Sequence, residues 1–205
     1  MLDYYHLAIY GKCYGTIYTL TNPNKIVTEI EEKFDWPKYN PRKDKIDRLG
    51  LPLTSLDGGM SGTPDLDSLL EYNNENNTSY GEADFSTPTP AYEYFKEVLD
   101  PFKLWLGRTH VLKINPGGYF PPHRDAHDLK TFRLIVPLQN VEPPNVNFIV
   151  EDKILNLEMG RMHFVDTIKM HYLFNTSKKP TYWIVINVKT TPDAVKKVLR
   201  NLSAS

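Results

Sequence analysis

The stretch from Leu106 to Lys189 constrains the fold most, because short runs rich in Val, Ile, Tyr and Phe alternate there with turn clusters. Strands are predicted near 109–114, 131–138, 145–151, 153–157, 161–165, 170–174 and 182–189. Between them lie Asn115-Pro116-Gly117-Gly118, Glu142-Pro143-Pro144 and Lys178-Lys179-Pro180, residue types that turn the chain and interrupt ladders. About seven short strands within about 80 residues fit a β-sandwich or jelly roll rather than a parallel α/β sheet, which needs a helix between strands.

Helical spacing flanks this region. Ile26, Ile30 and Phe34 stand four apart, as do Tyr94, Val98, Phe102 and Leu106, and an amphipathic helix is predicted over 193–202. Residues 9–20 read as extended, ending at Thr21-Asn22-Pro23-Asn24, with Tyr10, Tyr14 and Tyr18 on one strand face as packing residues. From Pro37 to Pro90 the chain is crowded with Pro, Gly, Asn, Asp and Ser, so irregular backbone bordering a site is expected. The expected organisation is a single domain over 1–205. It comprises an N-terminal strand, helix and loop region (1–106), a β core (107–190) and a C-terminal helix (191–205).

With 24 basic and 25 acidic residues, the chain lacks the excess positive charge that nucleic acid or an anionic membrane attracts. Asp3, His6 and Lys12 interrupt the first 20 residues, unlike a signal peptide, and no apolar run is long enough to span a bilayer. Cys13 is the sole cysteine, which excludes an internal disulfide and a cysteine-rich zinc site. A cytoplasmic location follows as the default, and the Asn-x-Ser/Thr triplets at Asn76, Asn77, Asn175 and Asn201 are read as chance.

The chemistry-bearing segment is Gly118-Tyr119-Phe120-Pro121-Pro122-His123-Arg124-Asp125. Residues i and i+2 of extended backbone project to one face, so His123 and Asp125 can reach one ion. A third ligand from a distant strand would complete a facial triad with open positions opposite. His171, opening a late strand, suits that role better than His163, whose apolar neighbours Met162 and Phe164 suggest a packed histidine. Spacing alone leaves a pair of Asp125 with His127 equally possible.

Pro122-His123-Arg124-Asp125 followed by Phe132-Arg133-Leu134-Ile135-Val136-Pro137-Leu138 resembles the aspartyl/asparaginyl β-hydroxylase-like family, which includes free-proline hydroxylases. The run from Gly160 through Asp166 and His171 to Asn175 is similar to the family's later motif. The resemblance covers Gly107 to Lys189. It implies a double-stranded β-helix of the jelly-roll, cupin-like kind, with His123, Asp125 and His171 holding Fe(II). It further implies 2-oxoglutarate and O2 as cosubstrates, and hydroxylation of a C–H bond of an amino acid, free or peptidyl, with 2-oxoglutarate decarboxylated to succinate.

By the same resemblance, Arg133 helps bind the 2-oxoglutarate carboxylate, a role suited to a planar guanidinium fork. The family's second arginine, ten residues after the distal histidine, is replaced here by Thr181. That leaves Lys178, Lys179, Tyr182 and Arg133 as stand-ins to weigh. Trp183 beside it is a candidate pocket residue, whereas Trp36 and Trp105 read as packing. Arg124, Arg108 and Arg161 are candidates to meet a substrate carboxylate. The alternative from another class is an inactive cupin-like jelly-roll protein that binds a metal or ligand without turnover.

Overall fold

The computed structural model describes residues 1–43, 45–125 and 129–202. Its strands are β1 (Cys13–Thr19), β2 (Arg48–Pro52), β3 (Thr54–Ser55), β4 (Thr87–Pro88), β5 (His110–Ile114) and β6 (Tyr119–His123). They continue as β7 (Thr131–Gln139), β8 (Val146–Val150), β9 (Lys153–Ile154), β10 (Arg161–Val165), β11 (His171–Asn175) and β12 (Thr181–Lys189). Helices α1 (Tyr4–Ala8), α2 (Pro23–Lys33), α3 (Leu69–Asn76), α4 (Lys96–Leu99) and α5 (Pro192–Arg200) accompany them, with 3-10 turns on both sides of α4. Among the described residues no helix is long and apolar enough to cross a membrane.

Two antiparallel sheets make a jelly roll. The six-stranded sheet runs β1-β10-β7-β12-β5-β2 and the four-stranded sheet β6-β11-β8-β9, with β3 and β4 paired separately. Strands β7 and β12 are buried on both faces because each is central and covered by a second layer. Their period of two sorts side chains into two cores. Phe132, Leu134, Val136, Ile184, Ile186 and Val188 pack outward against the helices, whereas Ile135 and Trp183 face the second sheet.

Register continues that inner face across the sheet. Ile114 lies opposite both Thr181 and Arg48, Leu112 opposite Trp183 and Gly50, and Arg133 opposite Asn187. Gly50 lets the neighbours approach closely: a Cβ there would lie 2.8 Å from both Leu66 methyl carbons and 3.2 Å from the Tyr39 ring, so Leu66 would have to shift. These side chains therefore close down on β2.

Several predicted elements differ in detail. The extended segment over 9–20 is shortened to β1, because residues 4–8 form α1 under an Asp3–His6 capping box. Tyr14 stacks on Phe164 and Tyr18 meets Phe102 edge-on, so both pack, whereas Tyr10 stays outside the strand. The Pro37–Pro90 region holds more structure than its composition suggests, since β2 zips onto β5 over five register pairs. Strand β6 escapes sequence prediction because it contains Pro121 and Pro122; it tolerates them at the edge of its sheet.

Candidate metal centre

The paired ends of β6 and β11 place His123 directly opposite His171, their ring centroids 4.1 Å apart. Asp125 follows two residues on, and its backbone N–H donates to the Thr167 carbonyl at 2.9 Å, fixing the chain just past β6. One donor atom from each of His123, Asp125 and His171 lies within 4.8 Å of the others, a set able to hold a metal ion.

Tautomers decide whether this set fits a metal. The His123 Nδ1 lies 2.8 Å from the Pro121 carbonyl and the His171 Nδ1 3.0 Å from the Lys169 carbonyl. A carbonyl can only accept, so each Nδ1 donates its N–H and each Nε2 is the ring nitrogen left to face a metal, the orientation metal-ligating histidines use. Burial, reinforced by adjacent His171, pulls the His123 imidazole down to about 4, so it is neutral at neutral pH. For Asp125, burial acts to raise the pKa, but Arg133, His171 and His123 outweigh it and hold the carboxyl below its ordinary value. Its Oδ2 accepts from Arg133 Nε at 2.9 Å, while Oδ1 faces His123 Nε2 at 3.6 Å. Two imidazoles and one carboxylate, each oriented from behind by a hydrogen bond, fit a divalent cation.

The triad opens into a cavity of about 790 Å³ between the sheets, within the range that holds small ligands. The Pro37–Pro90 region supplies much of its wall, including Tyr39, Asp67 and Glu82. Glu82 is the residue sequence reasoning missed: it accepts from Arg108 Nε (2.8 Å) and Nη2 (2.6 Å) and from Asn187 Nδ2 (3.0 Å), and lies 3.7 Å from Arg133. Nothing in its sequence neighbourhood marks it, because its partners come from β12, from β7 and from the residues just before β5. Also on the wall is His110, which burial, with Arg108 and Arg133 nearby, keeps well below the ordinary histidine value and therefore neutral.

The other sequence candidates separate clearly. Arg133, Arg108 and the exposed Arg124 line the cavity, although Arg133 is engaged by Asp125 and Arg108 by Glu82. Arg161 lies off the cavity, paired with Glu158. Thr181 and Trp183 are buried in the core rather than on the wall, the indole Nε1 donating to Thr181 Oγ1 at 2.7 Å. Tyr182 faces the outer core against Trp36, and the exposed Lys178 and Lys179 lie away from the triad cavity. His163 is buried on β10 with Nε2 3.4 Å from the Glu158 carbonyl, also away from it. His127 lies outside the described residues. Asp166 and Asn175 of the later motif serve structure: Asp166 accepts from Tyr4 Oη at 2.7 Å, and Asn175 Nδ2 donates to the carbonyls of Ile114 and Lys179.

Fold and site together define a cupin-type jelly roll with a candidate metal triad at one end of the barrel. Among solved structures, the chain is similar to HygX from Streptomyces hygroscopicus with nickel and 2-oxoglutarate bound, at TM-score 0.55 and 10% identity over 94% of this chain and 89% of that one. HygX with nickel, 2-oxoglutarate and hygromycin B bound overlays equally, at TM-score 0.55 and 10% identity over 93% and 88%. A sugar phosphate isomerase of the cupin superfamily from Silicibacter pomeroyi shares a smaller part, at TM-score 0.31 and 12% identity over 43% and 52%. No family model and no curated protein matches the sequence.

Proposed function

We propose that the chain is an Fe(II)/2-oxoglutarate-dependent dioxygenase that hydroxylates a C–H bond of an amino acid, free or peptidyl. The observation that carries this reading is the pair of backbone-tied imidazoles, His123 and His171, presenting both Nε2 atoms beside Asp125 at the mouth of a ligand-sized cavity. Its support beyond geometry is the motif resemblance together with a fold shared with a protein that binds 2-oxoglutarate and nickel. Iron(II) and 2-oxoglutarate, when bound, supply the oxidation: one atom of O2 enters succinate, the other the substrate, and CO2 leaves.

The chain's own residues bind, orient and exclude water. His123, Asp125 and His171 would hold the metal, and a three-residue ligand set would leave its remaining positions to exchangeable groups. Arg133 holds the second carboxylate oxygen of Asp125, which fixes the rotamer of that ligand. Tyr39, Phe120 and Phe148 give the cavity dry aromatic walls, while Arg124 and Asp84 put charges of both signs on it, consistent with a zwitterionic guest.

Anaerobic titration of the purified protein with iron(II) and 2-oxoglutarate tests the reading. Chelation by the keto acid gives a weak visible charge-transfer band, and succinate release on admitting oxygen marks turnover. Metal binding without the band sinks the oxygenase reading. A band without succinate in the presence of oxygen favours the inactive binding protein, the reading that Thr181 in place of an arginine supports.

A further inference from the structure

Three arginines on the cavity wall are buried: Arg48, Arg108 and Arg133. Arg108 is neutralised by Glu82 and Arg133 by Asp125. Arg48 is different. It opens β2, is only 2% exposed, and makes no ion pair among the described residues. Its Nε and Nη1 have no hydrogen-bond acceptor there. The faces of the guanidinium are covered instead: its Cζ lies 4.2 Å from the Phe120 ring centroid and 5.3 Å from that of Tyr39. Aromatic faces hold a cation in place but leave the N–H edge unused. A guanidinium stays charged when buried, and a buried, unpaired charge is costly. An anion completing that edge would remove the cost.

Register says which anion fits. Arg48 and Thr181 flank Ile114 from opposite sides, on the same inner row of the six-stranded sheet. Arg48 therefore serves the same depth of the barrel as the missing arginine, two strands away. Phe120 links this point to the metal centre, its ring 4.2 Å from the Arg48 guanidinium and 4.6 Å from the His123 ring. A keto acid chelated at the triad extends inward by three further carbons, about 4 Å at ~1.5 Å per bond. A second carboxylate at the end of that tail, directed past Phe120, is the anion that would complete the guanidinium edge.

We infer that Arg48 is the anchor for the distal carboxylate of a dicarboxylic 2-oxo acid, an assignment that rests on the keto-acid reading above. It moves the anchor from β12 to a strand contributed by the N-terminal half of the chain. It also makes Arg48, rather than Arg133, the residue that selects 2-oxoglutarate over a 2-oxo acid of equal length ending in a methyl group. Arg133 is left to position Asp125.

The test compares 2-oxoglutarate with 2-oxopentanoate, which has the same carbon chain but no distal carboxylate, in anaerobic Fe(II) titrations read by the charge-transfer band. The wild type is expected to prefer 2-oxoglutarate by about 100-fold, the worth of a charge-assisted hydrogen-bonded pair. Arg48→Gln and Arg48→Met are expected to lose that preference through weaker 2-oxoglutarate binding alone, with 2-oxopentanoate binding and Co(II) affinity unchanged. Arg48→Lys, with one charge but no fork, is expected to regain part of it. Unchanged Co(II) affinity also shows that the variants are folded. A band in the wild type whose 2-oxoglutarate affinity survives Arg48→Gln and Arg48→Met overturns the assignment while sparing the keto-acid reading. Loss of the preference in Arg133→Met but not in Arg48→Met overturns it in favour of Arg133. No band with either acid in metal-loaded wild type overturns both.

Discussion

Arg108→Met tests how the irregular region is fastened over the cavity. Arg108 and Glu82 share two hydrogen bonds of 2.8 and 2.6 Å, and their side chains are only 9% and 14% exposed. Arg108 Nη1 also donates to the Asp67 carbonyl at 2.8 Å, so one guanidinium holds two points of the 37–90 region. In the variant Glu82 keeps Asn187 Nδ2 and the more distant Arg133, but loses both charged donors in nearly dry surroundings. Removing one partner of a buried pair costs about 3–5 kcal/mol. Arg133 offsets part of this, so about 3 kcal/mol is the expected loss. At about 2–4 °C per kcal/mol for a chain of this size, the melting midpoint falls by about 6–12 °C. The assay is urea unfolding of the metal-free protein followed by tryptophan fluorescence, with thermal melting beside it. Arg108→Met/Glu82→Met should recover most of the loss, because an apolar pair of similar volume replaces a buried ion pair at little net cost. A single variant that loses less than about 1 kcal/mol, or a double variant no more stable than the single, refutes the claim that Glu82 is held as a buried charge.

Three further outcomes are expected. His123→Ala and His171→Ala each abolish Fe(II) or Co(II) binding in an absorption titration, whereas His163→Ala and His127→Ala leave it close to wild type; the reverse pattern reassigns the ligands. The metal-free fold loses stability as pH falls from 6.5 towards 4, because the unfolded His123 takes up its proton near 6.5 and the folded one only near about 4. The contribution is up to about 3 kcal/mol and is fully present above that window; a urea midpoint that stays flat from pH 6.5 to 4, or a fall that is no smaller in His123→Gln, contradicts it. Burial pushes the Cys13 thiol up to about 12, so at pH 8 a disulfide reagent should label the native protein at least about ten-fold more slowly than the protein in urea.

What could be read from the sequence follows from how local each signal is. Strands β5, β7, β8, β10, β11 and β12 announce themselves because each is a short run rich in Val, Ile, Leu, Tyr or Phe bounded by turns. Strand β6 ends on the first candidate ligand, His123, two residues before Asp125, yet reads poorly as a strand, since Pro121 and Pro122 are acceptable only at a sheet edge, which is a tertiary property. Whether His123 or His127 partners Asp125 needed the resemblance, whereas His171 was preferred to His163 because the apolar neighbours of His163 read as packing. The structure gives a physical counterpart to that choice, register opposite His123. Glu82 and Arg48 were out of reach, because their meaning lies in partners, or missing partners, on strands far away in the chain. Thr181 and Trp183 sit at the expected strand end but face the packed interior, where two adjacent residues satisfy one another.

The edges of the six-stranded sheet carry a consequence in time. Both outer strands, β1 and β2, come from the first quarter of the chain, and β1 pairs with β10 near the other end. At synthesis rates of about 5–20 residues per second, β1 waits roughly 7–30 s for its partner to leave the ribosome. Meanwhile its backbone donors and acceptors are available to any other strand. Such long-range pairing also slows folding once the chain is complete. A fragment spanning only residues 107–190 would bare the ladder edges of β10 and β5 at once, so the β core is better regarded as the middle of a closed weave than as a module to be excised.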